Sequence, residues 1–438
     1  MSTKLSVHWF RRDLRLDDNR ALFHALTSGH SVLPIFIFDP EILDELPRND
    51  GRVEFIHKCL QDLQKSLLEM GSSLLVKHGT VEEIWRELID EYPIVEVYTN
   101  RDYEPYAIKR DQGISEFLGE KGIEFKDFRD HVIFEKDEVL SKSDKPYTVF
   151  TPYSRMWRSQ LTKERLADVG TEPHLENFWK TSPINLPTLA EIGFESSGLT
   201  FPPRIPDKKI IKVYDEKRNF PAVEGTTRIG VHLRFGTMSI RKLARVAKAL
   251  NDTYLNELIW REFYSQILWN FPHVVDQPFR ATYAAIPWRK DEEDFKRWCD
   301  GKTGYPMVDA GMRELNATGH MHNRVRMVVA SFLTKHLLLN WQWGEAYFAE
   351  KLLDYELASN SGGWQWAAGC GTDAAPYFRI FNPESQMKKF DPKLKYVRKW
   401  VPEYGTPLYP PPIVDHKFAR TRCLDVYKMA LGKAEQKA

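Results

Sequence analysis

Short apolar runs bounded by polar residues recur through the first 130 or so residues, at Leu5 to Phe10, Ser31 to Phe38, Ser73 to Lys77 and Val95 to Thr99. Each has the length and the Val, Ile and Phe content of a buried strand, and each is followed by an amphipathic stretch such as Val53 to Glu69. Strands alternating with helices predict an α/β domain, doubly wound around a mostly parallel sheet, over residues 1–130. No GxGxxG follows the first strand, so the pattern supports no dinucleotide site there. Between about 131 and 213 the periodicity fails. Pro146, Pro152, Pro173, Pro183, Pro187, Pro202, Pro203 and Pro206 interrupt regular structure, which predicts a connector wrapping between domains. From Tyr214 to the C-terminus, apolar positions return at helical spacing in Leu243 to Leu250, Glu257 to Leu268, Val308 to Leu315, Arg324 to Leu339 and Ala346 to Leu353. Residues 214–438 are therefore expected to form a large all-α domain.

A chain of 438 residues is long enough for two or three domains and a large core. Its net charge of +1 excludes a global basic field, so any nucleic-acid contact has to concentrate cations locally. Cys59, Cys299, Cys370 and Cys423 stand far apart, without metal-ligand spacing, and read as buried thiols of a reducing compartment. Charge within the first twenty residues, and the lack of any apolar stretch of spanning length, predict a soluble cytoplasmic protein. Tryptophan is the unusual component: of 13, 8 lie between Trp260 and Trp366. One tryptophan is ordinarily core packing, but a cluster asks for a second explanation.

The run from Asn360 to Pro383, NSGGWQWAAGCGTDAAPYFRIFNP, resembles the flavin-binding signature of the photolyase and cryptochrome family. The likeness continues through ELIWREFY (Glu257 to Tyr264), GYPMVD (Gly304 to Asp309), HNRVRM (His322 to Met327) and the N-terminal HWFRRDLRLDDN. It covers nearly the whole chain and, within the family, falls nearest the class I enzymes that split cyclobutane pyrimidine dimers in DNA. It implies an antenna-binding α/β domain, a helical domain that binds FAD and DNA, and a monomer.

By that resemblance Trp260 and Trp366 flank a flipped-out dimer, Glu257 and Asn323 hydrogen-bond to it and to the cofactor, and Met327 contacts it. A damaged base that stacks poorly costs less to extrude, and aromatic walls with a few polar groups then hold it. Taken alone, Glu257 and Trp260 at i and i+3 would be an exposed carboxylate beside a core indole. Tyr214 and the run Thr226, Thr227, Arg228, Ile229 and Gly230 resemble the cofactor's diphosphate cradle, with Gly230 where a serine is common. Arg326 and Asp354 match paired charges beside the flavin ring, and Glu356 stands where many members carry Asp. Asn360 matches the residue facing flavin N5, where a neutral amide can donate or accept. Trp364, Trp341 and Trp288 match an electron-transfer chain, innermost to outermost, with Trp343 and Trp298 as additional indoles. Arg218, Arg261, Arg324, Arg379 and Gln386 match DNA contacts, and Lys388, Lys389, Lys393, Lys395, Arg398 and Lys399 form a basic run beyond them.

Two departures bear on the reading. Tyr103-Glu104-Pro105 is followed by Tyr106-Ala107, so the carboxylate that holds a folate antenna in other members is missing, and a deazaflavin, another flavin, a differently held folate or an empty site all remain open. The sister enzyme for (6-4) photoproducts needs a His-His pair, whereas His322 is followed here by Asn323. A photosensing cryptochrome remains the competing class; its electron chain would look the same, but it has no need of a lesion pocket.

Overall fold

In the computed structural model, which describes residues 4–435, the strands form where the apolar runs lie. β1 (Leu5–Phe10) and β2 (Ser31–Phe38) coincide with those runs, while β3 (Leu75–His78) and β4 (Ile94–Asn100) are slightly displaced or longer. A further strand, β5 (Glu124–Phe128), escapes the pattern because it lies at the sheet edge with Glu124 and Asp127 exposed. All pairings are parallel, in the order β3-β2-β1-β4-β5, which buries every residue of the central β1.

Alternation along the strands sorts side chains to the two faces. Val7 and Trp9 join Leu33, Ile35 and Val97 in a core completed by Trp85 and Leu88 of helix Val81–Glu91 and by Ile114 and Leu118 of helix Pro105–Glu120. On the opposite face, His24 of helix Arg20–Leu26 stacks on Phe128 at 4.2 Å. Helices on both faces make this the doubly wound α/β arrangement that the alternating pattern predicted.

The chain divides into two compact units. One takes the chain through Glu135 together with Gln160–Ile205 and Arg228–Lys248; the other takes Lys136–Ser159, Pro206–Thr227 and the remainder from Ala249. The proline-rich stretch expected as one connector is thus shared between them. Helix Ile240–Leu250 is tied into the first unit by charge. Buried Arg241 donates to Asp18 at 2.9 Å and to Asp130 at 2.8 Å, and Arg15 pairs with the same Asp130. Burial alone would raise the pKa of Asp130, but the guanidiniums of Arg15 and Arg241 override it and hold the carboxyl below its ordinary value.

The second unit is almost wholly helical. Its core runs from Met307, Met312 and Leu315 of helix Pro306–Thr318 through Val325 and Val329 to Leu333, Trp341 and Trp364. The expected helix from Arg324 to Leu339 does not run through. An α-helix at Asn323–Ser331 widens into a π turn at Phe332–His336, and Leu338 takes a left-handed φ of 56°. The wide turn seats buried Lys335 so that its Nζ donates to Ala368 O at 2.7 Å, closing the end of helix Leu357–Ala368. Among the described residues no helix is long and apolar enough to cross a membrane.

Replacing Arg241 by Met should leave two buried carboxylates with one guanidinium between them. A loss of about 3–5 kcal/mol is expected, measured by urea unfolding.

Candidate active site

Several helices of the second unit face a common cavity of about 400 Å³. Helix Asp252–Asn270 contributes Glu257, Trp260, Arg261 and Tyr264; helix Asn323–Ser331 contributes Asn323, Arg326, Met327 and Ala330. In each case the spacing i, i+3, i+4, i+7 puts all four on one face. Helix Leu357–Ala368 supplies Ser359, Asn360, Gly363, Trp364, Trp366 and Ala367, and the segment before it brings in Asp354, Tyr355 and Glu356.

Two glycines let these helices close up. A Cβ on Gly344 of helix Trp341–Lys351 would lie 2.1 Å from Cη2 of Trp364, and one on Gly362 would lie 2.2 Å from Cδ1 of Tyr264. Neither gap admits a methyl group, so the rings of Trp364 and Tyr264 lie directly against neighbouring backbone.

The polar groups of the cavity are paired in a definite way. Arg326 Nη2 donates to both carboxylate oxygens of Asp354, at 3.0 and 3.1 Å, and its Nε donates to Met321 O. Arg261, expected at the DNA, lines the cavity and donates to Glu356 Oε1 at 2.8 Å. Arg218 pairs with Glu257. Asn323 is exposed at the start of its helix, where the His322 ring accepts the N–H of Arg324 at 3.2 Å. His322 is buried and does not line the cavity, and burial lowers its pKa to about 4.

One functional group was missed from the sequence. Asn360 Nδ2 donates to Glu345 O at 3.0 Å and to Glu345 Oε1 at 2.8 Å. A main-chain carbonyl can only accept, so the amino end of the amide is fixed on Glu345 and Oδ1 is left for an outside donor. Burial raises the pKa of Glu345, against the opposing pull of its bond from Asn360. Nothing at sequence level marks Glu345, one ordinary helical glutamate 15 residues before its partner.

Trp364 lines the cavity and is buried, with its ring 6.0 Å from that of Trp298 and 5.0 Å from that of Phe348. Trp341 lies in the same apolar core, and Trp288 is half-buried against it with its ring 6.0 Å from Tyr427. Tyr214, Thr226 and Thr227 belong to this unit but stand outside the cavity lining. The Thr227 hydroxyl meets Tyr254 OH at 2.8 Å, and the Tyr214 ring lies 5.0 Å from that of Tyr254. Arg228, Ile229 and Gly230 fall in the first unit, Arg228 exposed with φ 52°.

Arg324 donates to Asn219 at 2.7 Å and lies over the Phe390 ring. Burial and then the nearby cations Arg218 and Arg379 push its pKa down, which marks a gathering of positive charge. Arg379 is exposed, as are Lys388, Lys389, Lys393, Lys395, Arg398 and Lys399; Gln386 is half-buried. In the first unit, Tyr103 OH donates to Glu135, Tyr106 OH to Asp39, and Glu104 accepts from Arg12 and Arg234, so the Tyr-Glu pair is engaged internally.

Comparison with known proteins shows the family. A family profile described as "FAD binding domain of DNA photolyase" matches residues 254–407, and one described as "DNA photolyase" matches residues 6–173. A deoxyribodipyrimidine photo-lyase of Synechococcus is 36% identical, covering 98% of both chains, and one of Escherichia coli is 37% identical, covering 96% of this chain and 98% of its own. The chain belongs to the DNA photolyase family. Among solved photolyase structures, a bacterial class III photolyase from Agrobacterium tumefaciens superposes with a TM-score of 0.86 at 34% identity, covering 98% of both chains. An archaeal photolyase from Sulfolobus tokodaii with two FAD molecules gives 0.82 at 33% identity, over 97% of this chain and 99% of that one. A Synechocystis cryptochrome gives 0.84 at 25% identity, over 97% and 99%.

The cofactor of the photolyase FAD-binding domain is FAD, and the cavity suits its ring. Asn360 presents a bare acceptor held in place from behind, Arg326 and Asp354 present a paired cation and carboxylate, and Trp364 presents an aromatic wall. Met327, Ala330, Phe348 and Leu352 supply the apolar surface around them.

Glu345→Gln should leave this arrangement intact, because Gln keeps an acceptor for Asn360. Glu345→Leu removes the side-chain acceptor and leaves the amide on the main-chain carbonyl alone, a change of about 1 kcal/mol that redox titration of bound flavin should detect as a shifted equilibrium. Gly344→Ala should displace Trp364 and cost about 1–3 kcal/mol, read by thermal unfolding together with tryptophan fluorescence.

Proposed function

We propose that the protein repairs DNA with light, as a deoxyribodipyrimidine photo-lyase that splits cyclobutane pyrimidine dimers. One observation carries the reading. A single cavity holds both the set expected to face the lesion, Glu257, Trp260, Asn323, Met327 and Trp366, and the set expected to face the flavin, Arg326, Asp354, Asn360 and Trp364. A sensor needs only the second set.

On this reading Trp260 and Trp366 replace the stacking that the dimer loses when it leaves the duplex, and the Met327 thioether fills the space between ring edges. Glu257, oriented by its ion pair with Arg218, accepts from base N–H groups, while exposed Asn323 can donate and accept. Arg218, Arg324 and Arg379 gather charge for the backbone phosphates, with the lysines from Lys388 to Lys399 beyond them. Reduced FAD, excited by blue light, would supply an electron to the dimer and recover it once the ring has opened. Trp364, with Trp341 and Trp288, would relay an electron from an external reductant to a flavin that has been oxidised. Tyr214, Thr226 and Thr227 of the helical unit would hold the diphosphate. The protein would act as a monomer in the cytoplasm, at the nucleoid if bacterial, with an antenna chromophore of unassigned chemistry.

The buried His322, outside the cavity lining, speaks against the (6-4) enzyme, which needs an acid–base histidine at its lesion. The cryptochrome reading has the likeness to the Synechocystis protein in its favour.

The deciding experiment is blue-light repair, with reductant, of an oligonucleotide carrying one thymine cyclobutane dimer, beside a (6-4) substrate and a dark control. Light-dependent loss of the cyclobutane dimer alone is expected. Flavin-loaded protein that turns over neither lesion would overturn the proposal in favour of the sensor. Glu257→Ala and Trp260→Ala should keep FAD but weaken dimer binding about tenfold or more, measured by gel shift. Trp364→Phe should block photoreduction of oxidised flavin while pre-reduced enzyme still repairs.

A further inference from the structure

The lesion-facing ring Trp260 is itself stacked from behind. Phe150 lies parallel to it, with ring centroids 3.7 Å apart and planes inclined by 6°. Phe263 meets both rings edge-on, 5.5 Å from Trp260 and 5.8 Å from Phe150, and Tyr264 lies 5.5 Å away at a tilt of 33°. Trp260 lines the cavity and Phe150 does not. An indole has two faces. With Phe150 on one of them, a base can stack only on the other.

Phe150 is held firmly. Its side chain is buried, and its backbone N–H donates to Asp373 Oδ2 at 3.1 Å. The segment around it is anchored at three further points: Thr372 donates to Thr148 O at 2.6 Å, Gln266 to Tyr147 O at 2.8 Å, and Trp157 to Glu262 at 2.6 Å. All these groups lie in the helical unit. The Thr372 and Asp373 bonds make the loop that leads from Trp366 towards Arg379 part of the same brace. A ring fixed before the ligand arrives loses no freedom on binding, and parallel stacking sets the plane a base has to match.

We propose that Phe150 is a positioning residue for substrate: it selects the face of Trp260 that receives the extruded dimer and holds that ring in the binding plane. This rests on the reading of Trp260 as a lesion contact. It assigns a role in recognition to the proline-rich stretch that the amino-acid pattern marks only as a connector.

The test uses full-length, flavin-loaded protein and compares Phe150→Leu, Phe150→Met and Phe150→Tyr with wild type. The affinity for dimer-containing DNA and the affinity for the same undamaged oligonucleotide are measured for each. Phe150→Leu should weaken dimer binding roughly tenfold and leave undamaged DNA and flavin content unchanged, and Phe150→Tyr, which restores an aromatic face, should recover wild-type affinity. Phe150→Met fills the space without a ring and should behave like Phe150→Leu, providing the reading if the leucine variant fails to load flavin. Phe150→Leu combined with Trp260→Ala should bind no worse than Trp260→Ala alone, since the brace has nothing left to hold. Wild-type dimer affinity in both non-aromatic variants, an equal loss for undamaged DNA, or additive losses in the double variant would overturn the proposal. Undiminished dimer binding by Trp260→Ala would instead overturn the lesion-contact reading beneath it.

Discussion

The close approach of helix Leu357–Ala368 to its neighbours is the constraint on which the site depends. Gly362 admits the Tyr264 ring and Gly344 admits Trp364, at separations where a methyl group has no room. Only with the helices this near can residues from several of them surround one cavity. The same closeness fixes the rings, because a side chain pressed against backbone has few rotamers left. Lys335 completes the arrangement from the far end, where its ammonium caps the carbonyl of Ala368 and lies 3.9 Å from the Tyr427 ring centroid. Burial brings the pKa of that lysine down to about 8, the cost of a cation at a helix end deep in the core.

Charge within the helical unit is sorted by exposure. Inside the wall, guanidiniums and carboxylates are matched one to one, as in Arg326 with Asp354 and Arg261 with Glu356. Near Arg324 the matching loosens: the Arg324 guanidinium donates to the neutral amide of Asn219, and Arg218, although paired with Glu257, and exposed Arg379 still act on it as positive neighbours. Buried charges without partners would be expensive, whereas cations kept near water remain available to a polyanion. A chain whose net charge is only +1 can attract nucleic acid by this local grouping alone.

How much of this was legible depended on whether the signal was local. β1 and β2 coincide with their apolar runs because a central parallel strand buries both faces, so its whole length is apolar. β5 was invisible since an edge strand keeps charged residues exposed. The helix over Arg324 to Leu339 was read too long: apolar spacing continues through Phe332–His336, and nothing in it announces the wider turn that seats Lys335. The cavity-facing spacings 257/260/261/264 and 323/326/327/330 are visible in the chain. That they face each other is a tertiary fact, and so are the Glu345–Asn360 bonds and the stacking of Phe150 on Trp260. Arg261 carried no local mark of its commitment to Glu356.

The anchoring of Asn360 limits what can stand at that position. Its amide is neutral and places an N–H against a carboxyl oxygen at 2.8 Å. An aspartate there would bring two carboxyl groups into the same gap, and like-charged groups at that range hold one proton between them. A change of one atom, nitrogen to oxygen, would turn a fixed acceptor into a proton store beside the cavity. The identity of this one side chain therefore sets whether the gap beside Glu345 holds one carboxyl group or two.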